Sequence, residues 1–269
     1  MVEEVREVFC KGILSRSGIG SVDYSINPYT GCSHGCAYCY ARFMLRYAKT
    51  RQPWGKFVHV KINAPTVLMK EIKGNMSGTV LLSSVCDPYQ ELERKYEITR
   101  KILQVISKHN NFKVDILTKS DLIVRDLDII KKIKNVEVGF SISHFDEEFR
   151  RIFEPGAPSI EKRFHALETL NRNDVDTYVF VAPVIPLITD RDMESILENA
   201  ERCNVRYLFF DTLNIKCGNW KPIIAAMEKY EPEILPRFIE VMEKPERYYS
   251  QFKGRVLDMC NNLNCSFTF

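Results

Sequence analysis

The sequence contains no stretch that indicates a membrane, secreted, fibrous or disordered protein. No run approaches the roughly twenty consecutive apolar residues that a membrane-spanning helix needs. The charged N-terminus, residues 1–8, does not resemble a signal peptide. Low-complexity tracts, internal repeats and Gly/Ser linkers are also missing. We therefore expect a globular cytoplasmic protein with no membrane partner.

A strong excess of one charge is missing as well. The 269 residues include 38 Lys and Arg against 35 Asp and Glu, a formal net charge of +3. This balance neither requires nor excludes a nucleic-acid partner, because a basic groove can lie within a nearly neutral total. Apolar residues make up 45% and charged residues 27%, as in ordinary globular proteins. Nine cysteines, three of them closely spaced, fit a reducing compartment better than a disulfide framework.

Those three cysteines form the most informative motif. Cys32, Cys36 and Cys39 follow a C-x₃-C-x₂-C spacing within the run 31–40. Three thiolates on one short loop can hold three irons of a [4Fe–4S] cluster. The fourth iron then has no nearby protein ligand, and an open coordination position is typical of a reactive site. A Cys₃His zinc site that includes His34 is the alternative, although zinc sites favour paired ligands separated by a longer loop.

Strand-like and helix-like segments alternate along the chain and predict the fold. The predicted strands are 22–27, 79–84, 113–118, 136–142, 176–182 and 205–211. The predicted helices are 93–108, 121–134, 159–172 and 190–202. Repeated strand–helix units imply parallel strands joined by crossover helices. About six units predict an α/β fold, a partial (β/α)6 TIM-type barrel with a C-terminal helical extension. We expect the barrel over 1–212, with the cluster loop at 30–42, and the extension over 213–269.

One strand predicts which side of the barrel is polar. In residues 136–143 the apolar side chains alternate with Glu137, Gly139, Ser141 and Ser143. The apolar face suits the surrounding helices, so the small polar face should line the interior and leave room for a ligand. Lys119 falls at the C-terminal end of the preceding strand and should join this site.

The motifs together resemble the spore photoproduct lyase-like branch of the radical S-adenosylmethionine (SAM) superfamily, which includes proteins described as DNA repair photolyase-like. The matching stretches are residues 27–42, 86–93, 117–126, 153–163 and 181–186, together with Tyr38, the aromatic residue before the third cysteine. In that superfamily SAM chelates the open iron. An electron from the cluster then cleaves SAM and releases a 5′-deoxyadenosyl radical, which abstracts hydrogen from a substrate.

The resemblance also implies roles for individual residues. Cys32, Cys36 and Cys39 are the implied cluster ligands. The implied SAM-binding residues are Tyr38, Tyr40, Ser84, Cys86, Lys119, Ser141 and Arg163. A Lys119 ammonium suits the SAM carboxylate, and a Ser141 hydroxyl suits its ribose or methionyl group. For Glu154 and Arg163, an ion pair that only stabilises the fold is an equally supported alternative to a role in the site.

One departure from the family pattern concerns the hydrogen donor. Photoproduct lyases use a cysteine three residues before an aspartate, whereas here the residue three positions before Asp87 is Ser84. A hydroxyl group cannot donate a hydrogen atom as a thiol does, so photoproduct repair is not expected. The candidate catalytic residues are Cys86 and Tyr40. Cys86 is either a hydrogen-atom donor at a position shifted from that of the lyases or only a small buried residue.

The C-terminal third allows a second cluster and a second binding surface. Cys217, Cys260 and Cys265 are candidate ligands of an auxiliary Fe–S cluster, because an x₄ spacing occurs in iron–sulfur proteins. The aromatic residues of 220–253 suit either nucleic-acid stacking or packing on the barrel. A basic rim beside the cysteine loop is a better candidate for nucleic acid and consists of Arg42, Arg46, Lys49, Arg51 and Lys56.

The sequence therefore predicts a radical SAM enzyme whose first candidate substrate is DNA or RNA. Modification of a peptide or a small metabolite is the second hypothesis. A non-catalytic zinc or iron–sulfur binding module is an alternative of a different class. The enzyme hypothesis implies a low-potential electron donor such as ferredoxin or flavodoxin.

Overall fold

A computed structural model of the chain describes residues 2–109, 111–216, 218–260 and 263–269. Its strands are β1 (Glu4–Val8), β2 (Leu14–Arg16), β3 (Tyr24–Ile26), β4 (Tyr29–Thr30), β5 (Phe57–Lys61), β6 (Gly78–Leu82), β7 (Phe112–Thr118), β8 (Asn135–Ser141), β9 (Asp176–Val184), β10 (Tyr207–Thr212) and β11 (Asn264–Phe267). Its helices are α1 (Leu45–Ala48), α2 (Ala64–Glu71), α3 (Glu93–Tyr96), α4 (Ile98–Ile106), α5 (Leu127–Ile130), α6 (Glu147–Phe153), α7 (Ile160–Asn171), α8 (Thr189–Arg202), α9 (Trp220–Tyr230), α10 (Leu235–Glu243) and α11 (Pro245–Met259). Three short 3₁₀ segments span Tyr40–Met44, Asp121–Asp126 and Pro232–Ile234.

The main sheet has eight strands in the order β11-β10-β9-β8-β7-β6-β3-β2. Every neighbouring pair is parallel except β2 and β3, which are antiparallel. Six of the parallel strands, β3 and β6 to β10, correspond to the six predicted strands. The predicted α/β fold with its parallel barrel-type sheet is confirmed. Because the strands run in the same direction, the loops that follow them meet at one edge.

The side chains of β8 divide between two environments as the alternating pattern predicts. Val138 and Phe140, with Ile142 just beyond the strand, are fully buried and belong to the main hydrophobic core of the chain. This layer lies between the sheet and its helices, and burying each such side chain contributes about 1.5–3 kcal/mol. The opposite side chains of β8 therefore face the interior of the barrel.

The interior of the barrel is filled at the level of Gly139, so the expectation that this glycine leaves room for a ligand was wrong. A Cβ at Gly139 would lie 2.1 Å from Cζ of Tyr178, so the ring of Tyr178 occupies the space that this glycine leaves. The Tyr178 hydroxyl donates to Asp115 Oδ1 at 2.8 Å, and its ring stacks on Tyr207 at 4.9 Å. Gly139 therefore makes room for a protein side chain, and it does not leave space for a ligand.

A second, smaller sheet has the order β1-β5-β4, with β5 parallel to β1 and antiparallel to β4. Strand β5 is buried, and it supports the backbone where the cysteine loop begins. The first strand of the barrel, β3, is therefore followed by β4, a two-residue strand of the smaller sheet. The cysteine loop begins after β4.

The C-terminal segment contributes both helices and a strand. Phe238, Tyr249, Phe252 and Val256 of α10 and α11 are buried. Strand β11 then pairs with β10 and extends the main sheet. The prediction of a helical extension did not include this strand. Among the residues described, none of the helices is both long and apolar enough to cross a membrane.

Candidate active site

The cysteine loop lies between β4 and the 3₁₀ segment Tyr40–Met44 and is folded into tight turns. The Gly35 N–H donates to the Cys32 carbonyl at 3.3 Å, and the Cys39 N–H donates to the Cys36 carbonyl at 3.2 Å. Cys32 and Cys36 are buried, and Cys39 is half-buried. These turns bring three cysteines of one short segment to the same side of the barrel.

Glycines allow the loop to pass close to its neighbours. Gly31 has a φ of +88°, and a Cβ there would lie 2.4 Å from the Phe57 carbonyl oxygen. Gly35 has a φ of +62°, and a Cβ on Gly55 would approach the Gly35 Cα to 2.7 Å. A side chain at these positions would push the loop away from β5.

Two other parts of the chain hold the loop by backbone and amide hydrogen bonds. Gln90 accepts from the Ser33 N–H at 2.8 Å and donates to the Gly31 carbonyl at 3.3 Å. From the other side, the Ala37 N–H donates to the Phe153 carbonyl at 2.8 Å. The Gly156 N–H also donates to the His34 carbonyl, at 3.0 Å. Sequence analysis missed Gln90, although it lies in the matching stretch 86–93.

His34 is turned toward Asp87. The His34 Nδ1 lies 3.4 Å from the Asp87 carboxylate, which also accepts from the Thr118 hydroxyl at 2.7 Å and the Lys119 N–H at 2.8 Å. Burial lowers the pKa of His34, which favours the neutral imidazole. In the described part of the chain, no three His, Cys, Asp or Glu side chains are grouped to hold a single metal ion. This holds for the three loop cysteines with or without His34, and the His34 ring faces Asp87.

A buried polar network connects the loop to the ends of β7 and β8. The Tyr38 hydroxyl donates to Glu154, and the Arg163 guanidinium donates to the same carboxylate. The Lys119 Nζ lies 3.8 Å from Glu154 and donates to the Ser141 hydroxyl at 2.6 Å. The structure therefore brings together Tyr38, Lys119 and Ser141, three of the residues that the sequence selected.

Two charges of this network are almost completely removed from solvent. Arg163 is 0% exposed and Glu154 is 1% exposed. Burial disfavours the charged carboxylate, but the Arg163 guanidinium and the Lys119 ammonium overcome this and lower the pKa of Glu154. Burial and the adjacent Glu154 charge raise the pKa of Tyr38, so the phenol keeps its proton and donates. The buried ion pair proposed as the alternative for Glu154 and Arg163 is present.

Arg163 has no free face toward a ligand in this arrangement. Its Nη1 donates to the Ser141 carbonyl at 3.0 Å, and its Nε donates to the Pro158 carbonyl at 3.2 Å. Because four of its five N–H donors are used inside the protein, Arg163 orients Glu154 and the end of β8. A direct contact between Arg163 and SAM stays a prediction.

Tyr40 and Ser84 also lie together. The Tyr40 hydroxyl donates to the Ser84 carbonyl, and the Tyr40 side chain is 44% exposed. The Asn27 side chain donates to the Ser84 hydroxyl at 3.1 Å and accepts from the N–H groups of Ser84 and Val85 at 3.0 and 2.9 Å. Asn27 thereby fixes the turn after β6. Asn27 begins the matching stretch 27–42 but is not among the predicted site residues.

Cys86 lies in the same apolar cluster as Cys32 and Cys39. Its sulfur is 2.9 Å from the Ser83 hydroxyl, and burial raises the pKa of this thiol to about 11. Cys86 therefore remains a protonated thiol at neutral pH, the form that can give up a hydrogen atom.

The surroundings of the cysteines fit a group that accepts hydrogen bonds and carries negative charge. Two buried donors near the loop, Ser33 Oγ and Arg42 Nε, lack a hydrogen-bond partner among the described residues, and the Trp54 side chain lies within hydrogen-bonding reach of Cys39. Burial raises the pKa of Cys39, while Lys119, Arg42 and Trp54 oppose this shift. Unsatisfied donors and cations beside three thiols suit the sulfur atoms of a cluster bound as thiolates.

The predicted auxiliary cluster was wrong for two of its three ligands. Cys260 and Cys265 are joined by a disulfide, which removes both thiolates from metal binding. The third predicted ligand, Cys217, lies outside the described residues. The x₄ spacing suited a metal site in the sequence, but it also allows the end of α11 and the start of β11 to be bridged.

Comparisons with known proteins agree with the motif and the fold. The sequence model of a family described as the Radical SAM superfamily matches residues 26–200. An uncharacterized protein of Methanocaldococcus jannaschii is 37% identical over 215 residues, which cover 80% of each chain. An uncharacterized protein of Mycobacterium tuberculosis is 28% identical over 267 residues, which cover 93% of this chain and 78% of the relative.

Solved structures of spore photoproduct lyase share the fold. The lyase complexed with dinucleoside spore photoproduct has a TM-score of 0.63 at 18% identity. That comparison covers 85% of this chain and 66% of the lyase, so this chain spans just under two thirds of the lyase's length. A lyase mutant with bound AdoMet and dinucleoside spore photoproduct has a TM-score of 0.64, also at 18% identity.

Proposed function

This chain belongs to the radical SAM superfamily and is an enzyme, and we propose that it holds a [4Fe–4S] cluster on Cys32, Cys36 and Cys39. The observation that carries the proposal is the set of buried donors beside three clustered thiols. Ser33 Oγ and Arg42 Nε have no partner among the described residues, and the Trp54 side chain faces Cys39. When bound, the cluster would supply the electron that cleaves SAM to a 5′-deoxyadenosyl radical for hydrogen abstraction.

Lys119 and Ser141 are the proposed contacts for SAM. Lys119 already faces the Glu154 carboxylate at 3.8 Å and the Ser141 hydroxyl at 2.6 Å, so its ammonium is fixed beside the cysteine loop. A second carboxylate, that of SAM, would receive charge-assisted hydrogen bonds from the same ammonium. Tyr38 closes this side of the site, because the Lys119 Nζ lies 5.7 Å from the centre of its ring.

Tyr40, Ser84 and Cys86 are the proposed residues beside the end of β6. The exposed Tyr40 ring offers a surface for the adenosyl group or the substrate, and its hydroxyl is held by the Ser84 carbonyl. The protonated Cys86 thiol is the candidate for returning a hydrogen atom to the product. A low-potential ferredoxin or flavodoxin is the proposed source of the electron.

The proposal predicts the outcome of anaerobic reconstitution with iron and sulfide. We expect about four irons per chain, because the structure offers one loop with three free thiols and closes Cys260 and Cys265 in a disulfide. Dithionite should bleach a broad visible absorption band, and SAM should then be converted to 5′-deoxyadenosine. A colourless protein that binds only zinc would reject this function and favour the non-catalytic binding module.

We further propose that the substrate is a single-stranded region of nucleic acid. Residues 24–70, which contain the cysteine loop, include seven Lys and Arg and no Asp or Glu. Within this segment Arg46, Lys49 and Arg51 are exposed, and Tyr47 is 71% exposed. Basic side chains with an exposed aromatic ring suit a phosphate backbone and a stacked base.

Two members of the predicted basic rim have other partners. Arg42 donates to the carbonyls of Cys36 and Ala37, both at 3.3 Å, and so belongs to the cysteine loop. Lys56 forms an ion pair with Glu3 at 3.1 Å. The proposed nucleic-acid surface therefore consists of Arg46, Tyr47, Lys49 and Arg51.

Neutralising this surface should weaken nucleic-acid binding. We expect the triple change Arg46→Gln, Lys49→Gln and Arg51→Gln to reduce affinity for a single-stranded oligonucleotide at least about tenfold, because each contact to a phosphate releases a counterion. The slope of log K against log salt should become smaller by about two to three. Fluorescence anisotropy at several salt concentrations measures both quantities.

A matched control is available on the other side of the molecule. Lys131, Lys132 and Lys134 are exposed and precede β8, at the opposite edge of the sheet from the loops that follow the strands. Changing these three to Gln removes the same charge and should leave the slope unchanged. Equal losses in both triple variants, or no measurable binding by the wild type, would favour a peptide or small metabolite as the substrate.

A further inference from the structure

Asn219, which lies just before α9, reaches back to the cysteine loop across 181 residues of sequence. Its Nδ2 donates to the Tyr38 carbonyl at 2.9 Å and to the Asn214 carbonyl at 2.8 Å. The Asn219 side chain is 0% exposed. The Tyr38 carbonyl belongs to the peptide bond that leads into Cys39, so this amide holds the backbone between the second and third cysteines.

The position of Asn219 in its helix would ordinarily give the side chain another task. Asparagine is favoured at the N-cap, where its oxygen accepts a backbone N–H of the first turn. The Asn219 carbonyl accepts from the Ile223 N–H at 3.0 Å, as an N-cap carbonyl does, but its φ of −81° and ψ of −14° are helical. Its side chain, however, makes no capping hydrogen bond. The amide is used for the loop instead of the helix.

The apolar packing around Asn219 supports the same connection. Ile223, Ala226 and Met227 of α9 are buried in one cluster with Cys36, Ala37 and Tyr38. Helix α9 therefore covers the loop with its apolar face, and Asn219 adds the hydrogen bond that fixes the orientation of one peptide group. The Asn219 Oδ1 has no partner among the described residues. The hydrogen bonds of Nδ2 therefore set the orientation of the amide.

We propose that Asn219 is a positioning residue that holds the cysteine loop in its cluster-binding conformation. Without the Nδ2 donor, the buried Tyr38 carbonyl loses a partner and the peptide between Tyr38 and Cys39 can rotate. The C-terminal segment thereby takes part in building the site. This role rests on the proposed function, but the conformation of the loop can be tested without any cofactor.

The test compares Asn219→Ala with Asn219→Asp in the full-length apoprotein. An aspartate keeps the size of the side chain and is a good N-cap, but as a carboxylate it cannot donate to the Tyr38 carbonyl. We expect iodoacetamide to alkylate Cys36 and Cys39 about five- to tenfold faster in both variants, the factor expected when one hydrogen bond to a buried carbonyl is lost. Peptide mass spectrometry measures the rate at each cysteine.

Asn199→Ala serves as the matched control. The Asn199 side chain donates to the Ser195 carbonyl at 2.8 Å within α8, so the variant removes a similar hydrogen bond outside the cysteine loop. Its alkylation rates should equal those of the wild type. Faster alkylation in Asn219→Ala alone would show that Asn219 acts as a helix cap and would overturn the proposal, as would unchanged rates in both variants.

A second measurement uses the reconstituted protein. We expect the visible band of the cluster to disappear about five- to tenfold faster in Asn219→Asp than in the wild type during incubation with a chelator, because the loop opens more often. An equal lifetime in Asn219→Asp and wild type would contradict the positioning role. If the wild type acquires no band, the proposed function fails, while the alkylation experiment still decides the role of Asn219.

Discussion

Replacing Cys36 by alanine should abolish the conversion of SAM to 5′-deoxyadenosine and remove most of the bound iron. Cys36 is buried on the loop and is one of only three thiols proposed for the cluster, so its loss leaves two ligands. We expect activity to fall at least about 1000-fold, beyond the roughly 10–100-fold typical of residues that only orient a metal ligand. Iron analysis and product quantification by chromatography measure both effects.

Cys203→Ala is the control for loss of a buried thiol. Cys203 follows α8, and its sulfur donates to the Phe164 carbonyl at 3.6 Å in the main core. This variant should keep the wild-type iron content and activity, with only a small loss of stability. If Cys36→Ala kept its iron and its activity, the assignment of the three cysteines would be wrong.

Replacing Glu154 by glutamine should produce the largest loss of stability. The change leaves the Arg163 guanidinium, which is 0% exposed, without its counter-charge. Removing one partner of a buried ion pair typically costs about 3–5 kcal/mol in the free energy of unfolding. Chemical denaturation followed by circular dichroism measures this difference.

Two further variants test the cause of that loss. Glu168→Gln breaks the exposed pair between Glu168 and Arg172, and it should cost less than about 1 kcal/mol. The double change Glu154→Met and Arg163→Met removes the two fully buried charges and should recover part of the stability, because the Lys119 ammonium that remains is partly exposed. A loss in Glu154→Gln no larger than in Glu168→Gln would contradict the importance of the buried pair.

The stability difference between wild type and Glu154→Gln should depend on pH. The pKa of Glu154 is lowered in the folded protein, so the folded state favours the ionised carboxylate. Its contribution to stability is therefore fully present above the ordinary glutamate pKa of 4.5 and is lost as the pH falls toward the lower pKa of the folded state. The advantage of the wild type should thus be constant near neutral pH and shrink below about pH 4.5.

The proposed site is built from residues of one short segment and from residues far away in the sequence. The cysteines come from one short segment, whereas the charges beside them come from the end of β7, from the residue after α6 and from α7. Arg163 and Lys119 both lower the pKa of Glu154, and Glu154 in turn accepts from Tyr38 on the loop. A loss at any of these positions should therefore reach the cysteine loop through hydrogen bonds.

The sequence by itself determined the fold class and the superfamily. Short strand-like segments alternating with helical patterns located the six barrel strands, and a period of two in residues 136–142 separated the two faces of one of them. The spacing of Cys32, Cys36 and Cys39 was equally readable, since ligands on one short loop are close in space whatever the rest of the chain does. Both signals are local.

Only the tertiary structure decided how the distant residues are used. The sequence could not show that Tyr178 fills the space above Gly139, that Arg163 is enclosed by carbonyl groups, or that Cys260 pairs with Cys265. It also gave no sign that the side chain of Asn219 turns from its own helix to the Tyr38 carbonyl. Contacts between residues far apart in the chain depend on how the elements pack, and this packing leaves no periodic pattern in a single sequence.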